Sequence, residues 1–178
     1  MDFNLLRYCS NEMYEIYANL ENTNKFTVGY IIANDKNYIV CESIDPYGKK
    51  DGLVLFLCDN IIKVQKNTKY LNNIEKLYNK QGNKRDKIFF NTSESLLLQL
   101  LDYIDKNKKL CTIELCDSNI NDVVGFLNKI DLNGATIELN NINDDGEKDG
   151  ISIVNLNMIS SITVDSLDDK KLYDLTRL

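Results

Sequence analysis

The sequence predicts a mainly β fold with helices, of the α+β class, laid out as two tandem five-stranded small barrels. Each barrel has an N-terminal helix and a trailing helix. Three observations carry this. Apolar residues alternate in short runs separated by turns rich in Asn, Asp and Gly. Two helical runs interrupt the strand pattern once, near the middle of the chain. The pattern also occurs twice: a strand running into a loop that ends in Asp-Gly, from Ile137 to Ile153, has an earlier copy from Ile39 to Leu55. Five short, strongly bent strands in each copy favour closure into a small barrel over an open sheet.

The repeat keeps its register. Val28-Gly29-Tyr30 answers Val124-Gly125-Phe126 at an offset of 96, and Asp51-Gly52 answers Asp149-Gly150 at 98. The two extra residues fit a longer turn near Asp131 to Gly134. Beyond it the offset holds at 98, so that Ile61 answers Ile159, Val64 answers Ile162 and Leu77 answers Leu175. This spacing sets the domains at 1–80 and 93–178, with 81–92 as a basic linker.

In chain order, Phe3–Cys9 reads as a short amphipathic helix and Tyr14–Leu20 as the first strand. Lys25–Ile32 is rich in β-branched and aromatic residues and forms the second. The Asn34–Asn37 turn leads to a strand over Tyr38–Ile44, the Asp45-Pro46-Tyr47-Gly48 turn, and strands over Leu53–Cys58 and Ile61–Gln65. Leu71, Ile74, Leu77 and Tyr78 mark one helix face, ended by Gln81-Gly82-Asn83. A second helix opens at Asn91-Thr92-Ser93-Glu94, with Asn91 as cap and Glu94 reaching back. It runs through Leu97, Leu100, Leu101 and Ile104, and Asn107-Lys108-Lys109 closes it. Strands then return at Cys111–Leu115, from Val123, at Ala135–Leu139, Gly150–Leu156 and Met158–Val164, before a closing helix over Leu167–Leu175.

Composition narrows the chemistry. Hydrophobic residues make up 43% of the 178, enough for a real core. No apolar run is long enough to span a bilayer and the first residues carry no secretory pattern, so the expectation is a cytoplasmic protein with no membrane association. The five cysteines are an odd, scattered set and read as free buried thiols. There is no histidine, Cys-x-x-Cys, Gly-x-Ser-x-Gly or phosphate-binding glycine loop, so the reading is a non-enzymatic protein with no metal and no cofactor. The carboxylates of Asn143–Gly150 lack the alternate spacing and final Glu of an EF-hand and read as a solvated turn.

The net charge of −6 is unevenly spread. Residues 63–91 hold eight basic and two acidic residues, a net of +6, whereas residues 110–178 hold five basic and thirteen acidic, a net of −8. The basic run is interleaved with Tyr70, Tyr78, Phe89 and Phe90, a pattern that suits either a solvated helix face or a strip for single-stranded nucleic acid.

The second copy carries Thr112-Ile113-Glu114-Leu115, then Val124-Gly125-Phe126-Leu127-Asn128-Lys129-Ile130-Asp131, then Gly134-Ala135-Thr136-Ile137-Glu138-Leu139. This resembles the first motif of the Sm-like family, in which a Gly lets the second strand bend and an Asp follows in the turn. The resemblance covers residues 93–165 well and 3–65 more loosely. It implies a helix on a five-stranded barrel, with RNA held by the turn after the second strand and by an Arg-Gly or Lys pair between the last two strands. Asp35, Asn37, Asp131 and Asn133 match the first element in part. At the second stand Asp59-Asn60-Ile61 and Asn157-Met158-Ile159, with no Arg-Gly. The expected role is therefore protein interaction or self-assembly by edge strands, with a protein partner or a second copy. The alternative is RNA or single-stranded nucleic acid, disfavoured by the net negative charge and contacted by those turn residues together with Lys80, Lys84, Arg85 and Lys87.

Overall fold

Period-two strands and tight turns organise the chain into two compact units that divide between Leu97 and Leu98. The computed structural model describes residues 12–19, 24–84, 88–116 and 122–177. The expected helix over Phe3–Cys9, the expected end of the first strand at Leu20, and Arg85 and Lys87 lie outside the described residues.

The first unit contains β1 (Met13–Tyr17), β2 (Thr27–Asn34), β3 (Tyr38–Ile44), β4 (Lys50–Leu57), β5 (Lys63–Gln65) and α1 (Lys69–Lys80). Its strands pair antiparallel in the order β5-β1-β2-β3-β4. All five residues of β1 are buried because successive side chains leave opposite faces of the sheet and both faces are covered. Tyr14 and Ile16 join Ile31, Ile39, Val54 and Phe56 in one cluster. Met13 packs in another with Val28, Tyr30 and Ile44, where α1 contributes Leu71, Ile74 and Tyr78. Leu77, expected on the same helix face, is 41% exposed. At about 100° per residue, a position six beyond Leu71 lies about 240° round the helix, away from the buried stripe.

The second unit contains β6 (Leu110–Leu115), β7 (Val123–Asp131), β8 (Thr136–Ile142), β9 (Lys148–Asn155), β10 (Ile159–Val164) and α3 (Leu167–Leu175). Their antiparallel order is β10-β6-β7-β8-β9. The remaining helix, α2 (Leu96–Lys106), begins at the division. It starts later than its expected cap: Asn91 Oδ1 accepts from the Ser93 N–H at 3.1 Å and Asn91 Nδ2 donates to Glu94 Oε1 at 3.0 Å, closing a separate turn before the helix. The local hydrogen bonds of an Asx turn satisfy Asn91 without any helix following at once.

Backbone features of the two units fall at constant separations. Added Cβ atoms on Gly29 and Gly125 would collide with the carbonyl oxygens of Glu42 and Asn140, so these pairs of strands cross too closely for any larger residue. Both second strands shift register soon afterwards, between Ile31 and Ala33 and between Leu127 and Lys129, an offset of 96. After the intervening turns the offset is 98. The Asp45 N–H donates to Lys49 O at 2.8 Å and the Asn143 N–H to Glu147 O at 2.9 Å. A 3-10 turn follows at Cys58–Asn60 and at Leu156–Met158, and Thr68 and Ser166 cap α1 and α3. Gly48 and Gly146, at φ +79° and +83°, turn the loops under Leu77 and Leu175.

Substitution of the two left-handed glycines of the second unit, Gly146 in the loop and Gly150 in β9, separates strain from collision. Gly150, at φ +81°, has nothing within 4 Å of an added Cβ, whereas at Gly146 that atom would lie 2.7 Å from Leu175 Cβ. Gly150→Ala should cost about 1–2 kcal/mol for its left-handed backbone, and Gly146→Ala should cost at least about 1 kcal/mol more. Urea midpoints of the two variants measure the difference; equal losses would contradict the packing described.

Candidate interaction surfaces

The two turn acids expected to face a ligand accept backbone N–H groups. Asp35 Oδ1 accepts from the N–H groups of Asn37 at 2.8 Å and Tyr38 at 2.7 Å, and Oδ2 accepts from the Leu96 N–H at 2.8 Å. Asp131 Oδ1 accepts from the N–H groups of Asn133 and Gly134, both at 3.1 Å. Asn37 and Asn133 are exposed. No hydrogen bond or ion pair among the described residues joins Asp35 or Asn37 to Lys80 or Lys84.

The basic run is partly spent within the first unit. Lys63 Nζ lies 3.7 Å from the centroid of the Tyr17 ring, and Lys66 Nζ lies 2.9 Å from Glu12 Oε2. Lys69, Lys76 and Lys80 recur at seven- and four-residue steps and share the solvent side of α1, opposite Leu71, Ile74 and Tyr78. Lys80 and Lys84 are exposed and make no ion pair among the described residues.

An apolar surface stands on β9. This strand pairs with β8 alone among the described residues, the last in its unit's order. Val154 points into the core, and Ser152 Oγ accepts from Asn141 Nδ2 at 2.8 Å on the same side. The alternate positions Ile151 and Ile153 are 62% and 71% exposed. Ninety-eight residues earlier, Leu53 and Leu55 on β4 are 3% and 0% exposed. The one signal in the sequence was the presence of apolar residues at both parities of one strand, which implies cover on both faces.

Each unit also buries a carboxylate beside a helix N-terminus. In the first it is Glu15 of β1, which accepts from Thr68 Oγ1 at 2.5 Å and from the Tyr17 hydroxyl at 2.9 Å. In the second it is Asp169 of α3, which accepts from Thr112 Oγ1 of β6 and from the Ser166 N–H, both at 3.1 Å. Burial raises the Asp169 carboxyl above its ordinary value against these hydrogen bonds, which lower it. Burial also pushes the Cys58 and Cys111 thiols up to about 11 and about 12, and Cys41 higher still, so all three stay protonated and unreactive. Among the described residues, no three His, Cys, Asp or Glu side chains converge on a metal-sized site, and no helix is long and apolar enough to cross a membrane. No family model, curated protein or solved structure matches the chain.

The raised Asp169 value gives a pH dependence with a definite sign. An acid whose folded value exceeds its unfolded one holds its proton better when folded, so stability falls as pH rises from about 3.9 through the folded value. The amide of Asp169→Asn keeps an acceptor and removes the charge. The stability of this variant relative to the parent should therefore improve between pH 4 and pH 7 in urea titrations. A difference that does not change with pH would refute the assignment.

Proposed function

We propose that the chain is a tandem pair of Sm-like barrels acting as a non-enzymatic self-assembly module, with the β9 edge as the joining surface. The barrel reading is supported by the strand order, in which the fifth strand of each unit lies beside the first, and by the sharp bends that Gly29 and Gly125 permit. The observation that carries the function is the pair Ile151 and Ile153, exposed on an outermost strand. Such an edge presents unpaired backbone groups next to apolar side chains, the combination that recruits another strand. A second copy suits it by charge: residues 110–178 carry a net −8 and residues 63–91 a net +6, so the acidic unit of one chain attracts the basic run of another.

Covering two isoleucines contributes about 3 kcal/mol, roughly a hundredfold in association. Sedimentation velocity should show a mass above one chain that rises with concentration, and Ile151→Glu/Ile153→Glu should return the protein to one chain while its circular dichroism stays unchanged. A parent protein that stays monomeric throughout would overturn the reading.

A second reading is single-stranded RNA along α1, favoured by exposed Lys76, Lys80 and Lys84. It requires a shift of single-stranded RNA at low salt that Lys80→Glu/Lys84→Glu weakens and added salt abolishes; no shift at low salt would remove it.

A further inference from the structure

A groove in the first unit combines aromatic rings with a carboxylate that its own loop does not need. The groove measures about 370 Å³ and is lined by Phe26, Asp45, Asp51 and Tyr70, with exposed Lys25 among its lining residues. Phe26 and Tyr70 meet edge to face with ring centroids 5.5 Å apart, and Tyr17 lies 5.0 Å from Phe26 on the other side. This aromatic row already holds one ammonium, that of Lys63 over Tyr17.

Asp45 is the decisive residue. It is 7% exposed. Its Oδ1 accepts both loop hydrogen bonds, from the N–H groups of Tyr47 at 2.9 Å and Lys49 at 2.7 Å. Its Oδ2 makes no hydrogen bond among the described residues and reaches solvent. The second unit shows what the loop itself requires. Asn143, 98 residues on, accepts the same two bonds through one amide oxygen, from Asp145 at 3.1 Å and Glu147 at 2.8 Å. A neutral side chain thus suffices for this turn, and the charge and second oxygen of Asp45 are surplus to it. The aromatic walls are likewise confined to the first unit: Phe26 and Tyr70 correspond to Asp122 and Asp168.

We infer that this groove binds the ammonium of a lysine side chain presented by a protein partner. Aromatic faces and a carboxylate together select an organic cation. One free oxygen serves a point charge better than the two-pronged guanidinium of arginine, which needs a pair of acceptors. The site is built from first-unit residues alone, whereas β9 belongs to the second unit, so the inference stands or falls independently of association at β9.

The test is an NMR titration with Nα-acetyl-lysine N-methylamide, against its arginine and norleucine equivalents at matched ionic strength. Saturable shifts at Phe26, Asp45 and Tyr70 are expected with the lysine compound, at least about fivefold weaker binding with arginine, and none with norleucine. Asp45→Asn, which the second unit shows to be compatible with the turn, and Tyr70→Ala should each weaken binding about tenfold or more. Lys25→Ala should strengthen it. Equal shifts with norleucine, or unchanged binding by Asp45→Asn, would overturn the inference.

Discussion

The close approach of backbones at Gly29 and Gly125 governs both units. A Cβ at either position would strike a carbonyl oxygen of the facing strand, so the absence of a side chain lets the second strand pack closely beside the third. The register shifts that follow accentuate the bend, and each long second strand reaches a turn closed by an Asp. From there the chain is committed to a hairpin, a tight loop, another hairpin and a short last strand returning beside the first. β1 is buried on both faces, because one side holds Tyr14 and Ile16 while α1 covers the other.

Much of this was legible in the sequence, because it rests on local rules. The span of α3 follows from Ser166 and Asp169, whose capping box fixes its start. The strand Tyr38–Ile44 follows from its bounding turns. Less legible were places where two local signals compete. Asn91 and Glu94 carry the signature of a helix start, yet they bond one another in a turn of their own. Leu77 looked like core by counting apolar residues, but helix geometry places it outside. Asp35 and Asp131 came from the likeness to the Sm-like turn, and the structure shows one oxygen of each accepting the N–H groups of its own turn.

The candidate surfaces emerge by comparing positions 96 or 98 residues apart. Backbone-determining residues agree between the units: the bend glycines, the loop glycines, and the capping hydroxyls of Thr68 and Ser166. Side chains that decide what a surface attracts do not. Leu53 and Leu55 are buried where Ile151 and Ile153 are open. Asp45 gives way to Asn143, Tyr70 to Asp168, and the buried carboxylate moves from strand to helix between Glu15 and Asp169. One backbone plan thus presents two different faces: an aromatic and acidic groove in the first unit, an apolar edge in the second.

Amide hydrogen exchange across Lys148–Asn155, followed from dilute to concentrated protein, tests the central claim most directly. An outer strand that recruits a second copy should show its solvent-facing amides slowing as concentration rises, with those of β8 unaffected because they are paired already. Exchange along β9 that stays the same at every concentration would contradict the account.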